Sequence, residues 1–114
     1  LQRLAKLANW QPRGRDSARG AGDVATGRGV SYVKYELVRT YVAVVADVEV
    51  NRKTGVVRVT RFYVAHDCGQ IINPDGLRNQ IEGNVIQTTS RTLVEELRFN
   101  RSTVTSRDWA GYPI

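Results

Sequence analysis

The spacing of apolar positions changes along the chain, and each change marks an element. Residues 40–50 (TYVAVVADVEV) alternate. Val42, Val44, Ala46, Val48 and Val50 share one face, while Asp47 and Glu49 point the other way, as in a half-covered antiparallel strand. Residues 56–66 (VVRVTRFYVAH) form the returning strand. Simple alternation puts Val57, Val59 and Ala65 on one face and Phe62 and Val64 on the other. The polar stretch Asn51-Arg52-Lys53-Thr54-Gly55 between them predicts a hairpin, with a type I turn and Gly55 in the left-handed region. Residues 30–35 alternate moderately and add a further strand. After Asn73 the period becomes helical: Leu77, Ile81, Val85, Leu93 and Leu97 form a stripe, with Ile86 and Val94 beside it.

The start of that helix is well marked. Asn73 is a good N-cap, Pro74 suits the first helical position, and Asp75 places a negative charge at the positive end of the helix dipole. Gln80, Asn84, Gln87 and Arg91 fall on a second stripe by the i, i+3, i+4 rule. Gly83 lies mid-helix, where glycine costs about 1 kcal/mol against alanine, which predicts that something approaches the backbone closely, another helix or strand being the plainer reading. Beyond the helix, residues 97–99 and 103–105 pair across a turn at Asn100-Arg101-Ser102, and residues 106–114 read as irregular. At the other end, residues 1–10 predict a short helix with Leu4, Leu7 and Ala8 on one side, ended by Pro12. Residues 13–29 are glycine-rich and charged, which is linker composition. The predicted fold class is α+β: an antiparallel hairpin or small sheet packed against one long helix. Residues 1–28 form a short helix and a basic Gly-rich linker, and residues 29–114 hold the packed part.

Composition narrows this only a little. A chain of 114 residues is one domain or part of one. It opens on Leu1 and closes on Pro113-Ile114, and the reading is a fragment of a longer polypeptide. No apolar run reaches transmembrane length. The formal charge of +6 is uneven, with six basic and two acidic residues in 1–28. A basic arm of that kind can bind nucleic acid. No aromatic residues are interleaved with those arginines, so a solvated linker is the better reading. The single cysteine excludes an internal disulfide.

His66 and Cys68 are two apart and share a face of a strand, next to Asp67. A structural zinc site needs about four ligands, and the chain has no second Cys or His. A Cys68 nucleophile with His66 as base lacks a third, orienting group. The residues are read as a hydrogen-bonded histidine and a small buried thiol at a strand end. The glycine and helix N-terminus that follow favour an anionic group or a cofactor edge.

Several ordered motifs together carry a resemblance: Asp67-Cys68-Gly69-x-x-Ile72-Asn73-Pro74, then Gln80-x-Glu82-Gly83, then Leu93-x-Glu95-Glu96, preceded by Val48-Glu49-Val50-x-x-x-Thr54-Gly55-x-Val57-x-Val59. Over residues 24–114 the chain resembles the C-terminal molybdenum-cofactor-binding region of the xanthine dehydrogenase / aldehyde oxidase family. IQTTSRTLVEE and TSRDWAGYPI bring it nearest to the isoquinoline 1-oxidoreductase-like large subunits of bacteria.

The resemblance implies a partial molybdopterin-binding domain over residues 29–114, within an oxidoreductase that hydroxylates a small N-heterocycle or an aldehyde with oxygen from water. The cofactor it implies is a molybdopterin carrying molybdenum, in bacteria often as the cytosine dinucleotide. Electrons would pass to iron–sulfur clusters on a small subunit or another domain. Gln80 would belong to the pterin-contacting set, since an amide offers both a donor and an acceptor. Asn73 and Gly83 would shape the site. Two departures stand out. Gly83-Asn84 replaces the family's frequent Gly-Gly, and Thr88-Thr89-Ser90 replaces a Gly-Leu-Gly element. The family's catalytic glutamate falls outside these residues, so the chain alone is expected to be inactive, with the rest of the large subunit as its partner. With faces left uncovered, the chain by itself is also expected to self-associate.

Overall fold

The computed structural model describes residues 1–12, 22–36 and 39–114. The elements are α1 (Gln2–Leu7), β1 (Val24–Tyr35), β2 (Thr40–Asn51), β3 (Val57–Asp67) and α2 (Pro74–Leu93). The chain divides into two compact units, Leu1–Gln70 and Ile71–Ile114.

The first unit is an antiparallel three-stranded sheet in the order β1-β2-β3, with α1 laid on one face. The β2–β3 hairpin closes as expected. Gly55 has φ 75°, its amide donates to the Asn51 carbonyl at 2.8 Å, and the Asn51 side chain accepts from the amides of Lys53 and Thr54 at 2.9 and 3.0 Å. The β-region begins earlier than its composition suggested. The linker expected over residues 13–29 gives way to strand at Val24, in continuous register with β2 from Val24↔Asn51 to Tyr35↔Thr40. Gly27 sits opposite Val48, whose side chain lies in van der Waals contact with the position a Cβ would take there. Residues 13–21 of the expected linker lie outside the described residues.

The buried face of β2 is the opposite of the one expected. Ala43 and Val45 are buried, with 3% and 1% of their surface accessible, whereas the face of Val42, Val44, Ala46, Val48 and Val50 is only half-buried. The reason is where α1 packs: Leu4 and Ala8 close over Ala43 and Val45, with Trp10, Tyr63 and Ala65 around them. Leu7, expected on the packing side of α1, is exposed. The helix does not run on to Pro12. Asn9 adopts a left-handed φ of 47°, the Trp10 amide bonds to the Ala5 carbonyl at 2.8 Å and the Asn9 amide to the Lys6 carbonyl at 3.2 Å. That is a Schellman stop, with asparagine in the position glycine usually takes.

The strict alternation expected of β3 also fails. The register slips between Asp47 and Val48, so that Asp47 faces Arg61 while Val48 faces Val59, leaving Thr60 as an extra residue. This β-bulge returns Phe62 and Val64 to the side of Val57 and Val59 and sends Tyr63 and Ala65 to the side of Ala43 and Val45. The hydroxyl of Thr60 bonds to the Asp47 carbonyl at 3.2 Å and helps anchor the irregularity.

The second unit is α2 followed by an irregular tail. Asn73 is the N-cap, with its side chain accepting from the Gly76 amide at 2.9 Å, and Pro74 opens the helix. The helix stops at Leu93, so Leu97 lies beyond it and is exposed. In the tail, Phe99 and Val104 form an isolated antiparallel bridge around an Asn100 turn, whose side-chain oxygen accepts from the amides of Ser102 and Thr103, each at 2.9 Å. The structure is thus α+β, with α1 packed on the three-stranded sheet in the first unit and one long helix in the second. Among the described residues, no helix is long and apolar enough to cross a membrane.

Candidate functional site

Along α2, Leu77, Ile81, Val85 and Thr89 are half-buried, and Gln80, Asn84, Gln87 and Arg91 are exposed. The polar stripe read from the sequence is therefore present on the folded helix, whereas the apolar stripe is only half-buried at Leu77, Ile81 and Val85, with Leu93, Ile86 and Val94 exposed. On the polar stripe, Asn84 turns its amide nitrogen back to the Gln80 carbonyl at 2.8 Å, which occupies one of its donors. The Gln80 and Gln87 side chains have no partner among the described residues, so each presents a full amide, two donors and an acceptor.

Gly83 lies between those two glutamines, three residues after Gln80 and four before Gln87, and so shares their side of the helix. The close neighbour expected there is absent: a Cβ built at Gly83 meets nothing within 4 Å among the described residues. The helix therefore has a notch of bare backbone flanked by two free amides. Such a surface suits a flat polar ring system, whose face can lie on the notch while its edge meets the amides. Asn73, the third residue singled out by resemblance, is engaged in capping. Its side chain sets where α2 begins and so where Gln80 is carried.

The turn before the helix is organised by its own groups. Gly69 has φ 81°, and its amide donates to the Asp67 side chain at 3.2 Å. Cys68 is a free, half-buried thiol, and no group of three or more His, Cys, Asp or Glu able to hold a metal is found among the described residues. His66 is hydrogen-bonded in a more specific way than the sequence indicated. The Thr40 hydroxyl donates its only proton to the Asp67 carbonyl at 2.8 Å, so the 2.8 Å contact between Thr40 Oγ1 and His66 Nε2 requires His66 to donate. His66 thereby carries a proton on Nε2, and Nδ1 is buried with no partner among the described residues.

Two clusters escaped the sequence reading. Arg28 forks onto Asp47 through Nε–Oδ1 and, at 2.9 Å, Nη2–Oδ2; it also donates to the Ala8 carbonyl at 2.6 Å and lies 5.6 Å from the centre of the Tyr63 ring. The hydrogen bonds from Arg28 hold the Asp47 carboxyl below its ordinary range, against the opposing effect of partial burial. In the second unit, the Tyr112 hydroxyl donates to Glu95 at 2.7 Å, and that bond raises the phenol's pKa. Only the strand register, which makes Arg28 and Asp47 opposite neighbours, could have exposed the first cluster. No local signal marks the second.

The profile of a family described as "Molybdopterin cofactor-binding domain" matches residues 2–114. The chain belongs to this family. Among curated relatives, the domain is 48% identical to a nicotinate dehydrogenase subunit of Pseudomonas putida, over all of this chain and 10% of that protein. It is 27% identical to the beta subunit of isoquinoline 1-oxidoreductase of Brevundimonas diminuta, over all of this chain and 14% of that protein. It is 31% identical to the Escherichia coli protein named Probable hypoxanthine oxidase XdhD, over 90% of this chain and 11% of that protein. The domain thus spans between 10% and 14% of the length of these relatives. No solved structure matches it significantly. The bare, amide-flanked side of α2 fits a pterin in kind, since it offers both donors and acceptors beside an unobstructed backbone.

Proposed function

We propose that this domain forms one wall of the molybdopterin site in the large subunit of a molybdenum hydroxylase, and that α2 is that wall. The observation that carries the reading is the Gln80–Gly83–Gln87 surface, exposed and unpartnered among the described residues, within a family that binds this cofactor. Gln80 contacts the pterin edge, Gly83 lets the ring approach the helix, and Asn73 fixes the start of α2 through its cap to Gly76. When bound, the molybdenum centre supplies the oxidation of a carbon in a small N-heterocycle or aldehyde, with water as the oxygen source. The residues of this domain orient the cofactor; they do not perform the bond chemistry.

The cofactor in this reading is the cytosine dinucleotide form. Its electrons leave through iron–sulfur clusters on a small subunit or a separate domain. One helix wall holds a ligand of this size weakly, so the domain alone is inactive and needs the rest of the large subunit. Taken by itself it self-associates, because Ile72, Phe99 and Trp109 expose 83%, 73% and 81% of their surface. A monodisperse monomer in light scattering at high concentration would count against that part.

The deciding test is Gln80→Leu in the full-length protein. Loss of both amide donors and the acceptor is expected to lower molybdenum and pterin content after gel filtration by about ten-fold, with Gln80→Glu intermediate. Unchanged cofactor content in Gln80→Leu refutes the placement of α2 at the cofactor.

A further inference from the structure

Arg91 completes the polar stripe of α2, eleven residues beyond Gln80, which places it about 16 Å further along the helix axis. It is exposed and makes no ion pair or hydrogen bond among the described residues. The nearest acidic side chain in sequence, Glu95, lies four residues on, beyond the end of α2 at Leu93. Glu95 is instead held by the tail: the Tyr112 hydroxyl donates to its Oε2 at 2.7 Å, and the carboxylate is half-buried there. The tail itself is fixed at that point, because the Tyr112 amide bonds to the Asp108 carbonyl at 3.0 Å and the Gly111 amide to the Asp108 side chain at 2.7 Å. The carboxylate is thus engaged by Tyr112 and makes no ion pair with Arg91, whose charge acts on the phenol from nearby.

We infer that Arg91 is a positioning residue for the anionic phosphate portion of the cofactor, while Gln80 serves its ring. This rests on the placement of α2 proposed above. A single ring system cannot span from Gln80 to Arg91, but a pterin extended by a phosphate or pyrophosphate reaches along the helix. A guanidinium matches phosphate oxygens with two parallel N–H donors, which lysine cannot do. Tyr112 acts through Glu95 as the device that keeps this cation available.

The test uses the full-length protein, with molybdenum, released pterin and released nucleotide measured during dialysis against buffered salt. Arg91→Gln is expected to lose cofactor about ten-fold faster than the parent, and Arg91→Lys to lie between them. Tyr112→Phe frees Glu95 to pair with Arg91, so it is expected to speed loss in the same direction without touching the cation. Adding Glu95→Gln to Tyr112→Phe is expected to restore retention, a rescue that a merely structural role for Tyr112 does not produce. If Arg91→Gln does not accumulate as folded protein, the Tyr112→Phe pair still decides the matter, since absence of rescue by Glu95→Gln overturns the inference. Parent-like retention in Arg91→Gln, with loss in Gln80→Leu, overturns it while leaving the placement of α2 standing. Parent-like retention in both variants overturns the placement of α2 and this inference with it.

Discussion

Replacing Arg28 by alanine tests how α1 is held on the sheet. The side chain forks onto Asp47, donates to the Ala8 carbonyl at the end of α1, and covers the Tyr63 ring. The Arg28 and Asp47 side chains are 34% and 23% accessible, so the pair lies between surface and interior. Surface pairs contribute about 0.2–1 kcal/mol, and breaking a buried pair costs about 3–5 kcal/mol, so about 1–2 kcal/mol is expected here. The unpaired Ala8 carbonyl adds about 1 kcal/mol. The total, about 2–3 kcal/mol, exceeds what a six-residue helix can supply alone, so α1 should undock rather than shift. Trp10, packed beside Leu4 and Ala8, reports this directly. In a Trp109→Phe background, Arg28→Ala should red-shift Trp10 emission and lower the urea midpoint. A double-mutant cycle with Asp47→Asn should give a coupling of about 1 kcal/mol or more. The pH dependence follows from the same bond. Because folding lowers the Asp47 pKa, its contribution is complete above the ordinary carboxylate range and is lost as pH falls through the depressed folded value. Asp47→Asn should flatten that acid-side loss. A coupling below about 0.3 kcal/mol, or an unshifted Trp10 spectrum in Arg28→Ala, would refute the assignment of Arg28 as the clamp.

Three further outcomes are expected. Leu4→Ala should cost about 2–3 kcal/mol in urea melts, at the low end for a buried leucine, because a short helix can detach before a full cavity forms; a loss under about 0.5 kcal/mol would show that α1 adds little. Asn73→Ala removes the cap to Gly76 and should cost about 1 kcal/mol, with Asn73→Asp retaining most of it; circular dichroism melts of the helical signal check this. Nitrogen NMR of His66 should show the proton on Nε2, and Thr40→Val should abolish that preference; a dominant Nδ1–H tautomer in the parent would contradict the Thr40 geometry.

The elements whose signals are local were legible without the fold. The Asn51–Gly55 turn, the Asn73-Pro74 helix start, the Asn100 turn and the polar stripe of α2 depend on residues within a few positions of one another, so the sequence by itself specified them. The faces of the sheet were decided otherwise. Val42 and Ala43 lie on opposite faces of a strand apolar on both sides, and alternation cannot say which face meets α1. Packing of Leu4 and Ala8, which the whole of β1 separates from β2 in sequence, made that choice. The Thr60 bulge has the same character: one unpaired residue inverts every later side chain of β3, and only the register against β2 reveals it. For the candidate site, the polar stripe came from helical spacing, and Gln80 was singled out within it by the resemblance of its motif to the family. The openness at Gly83, the captured Glu95 and the Nε2-donating His66 came from groups that are distant in sequence or from space left empty, and only three-dimensional placement determines those.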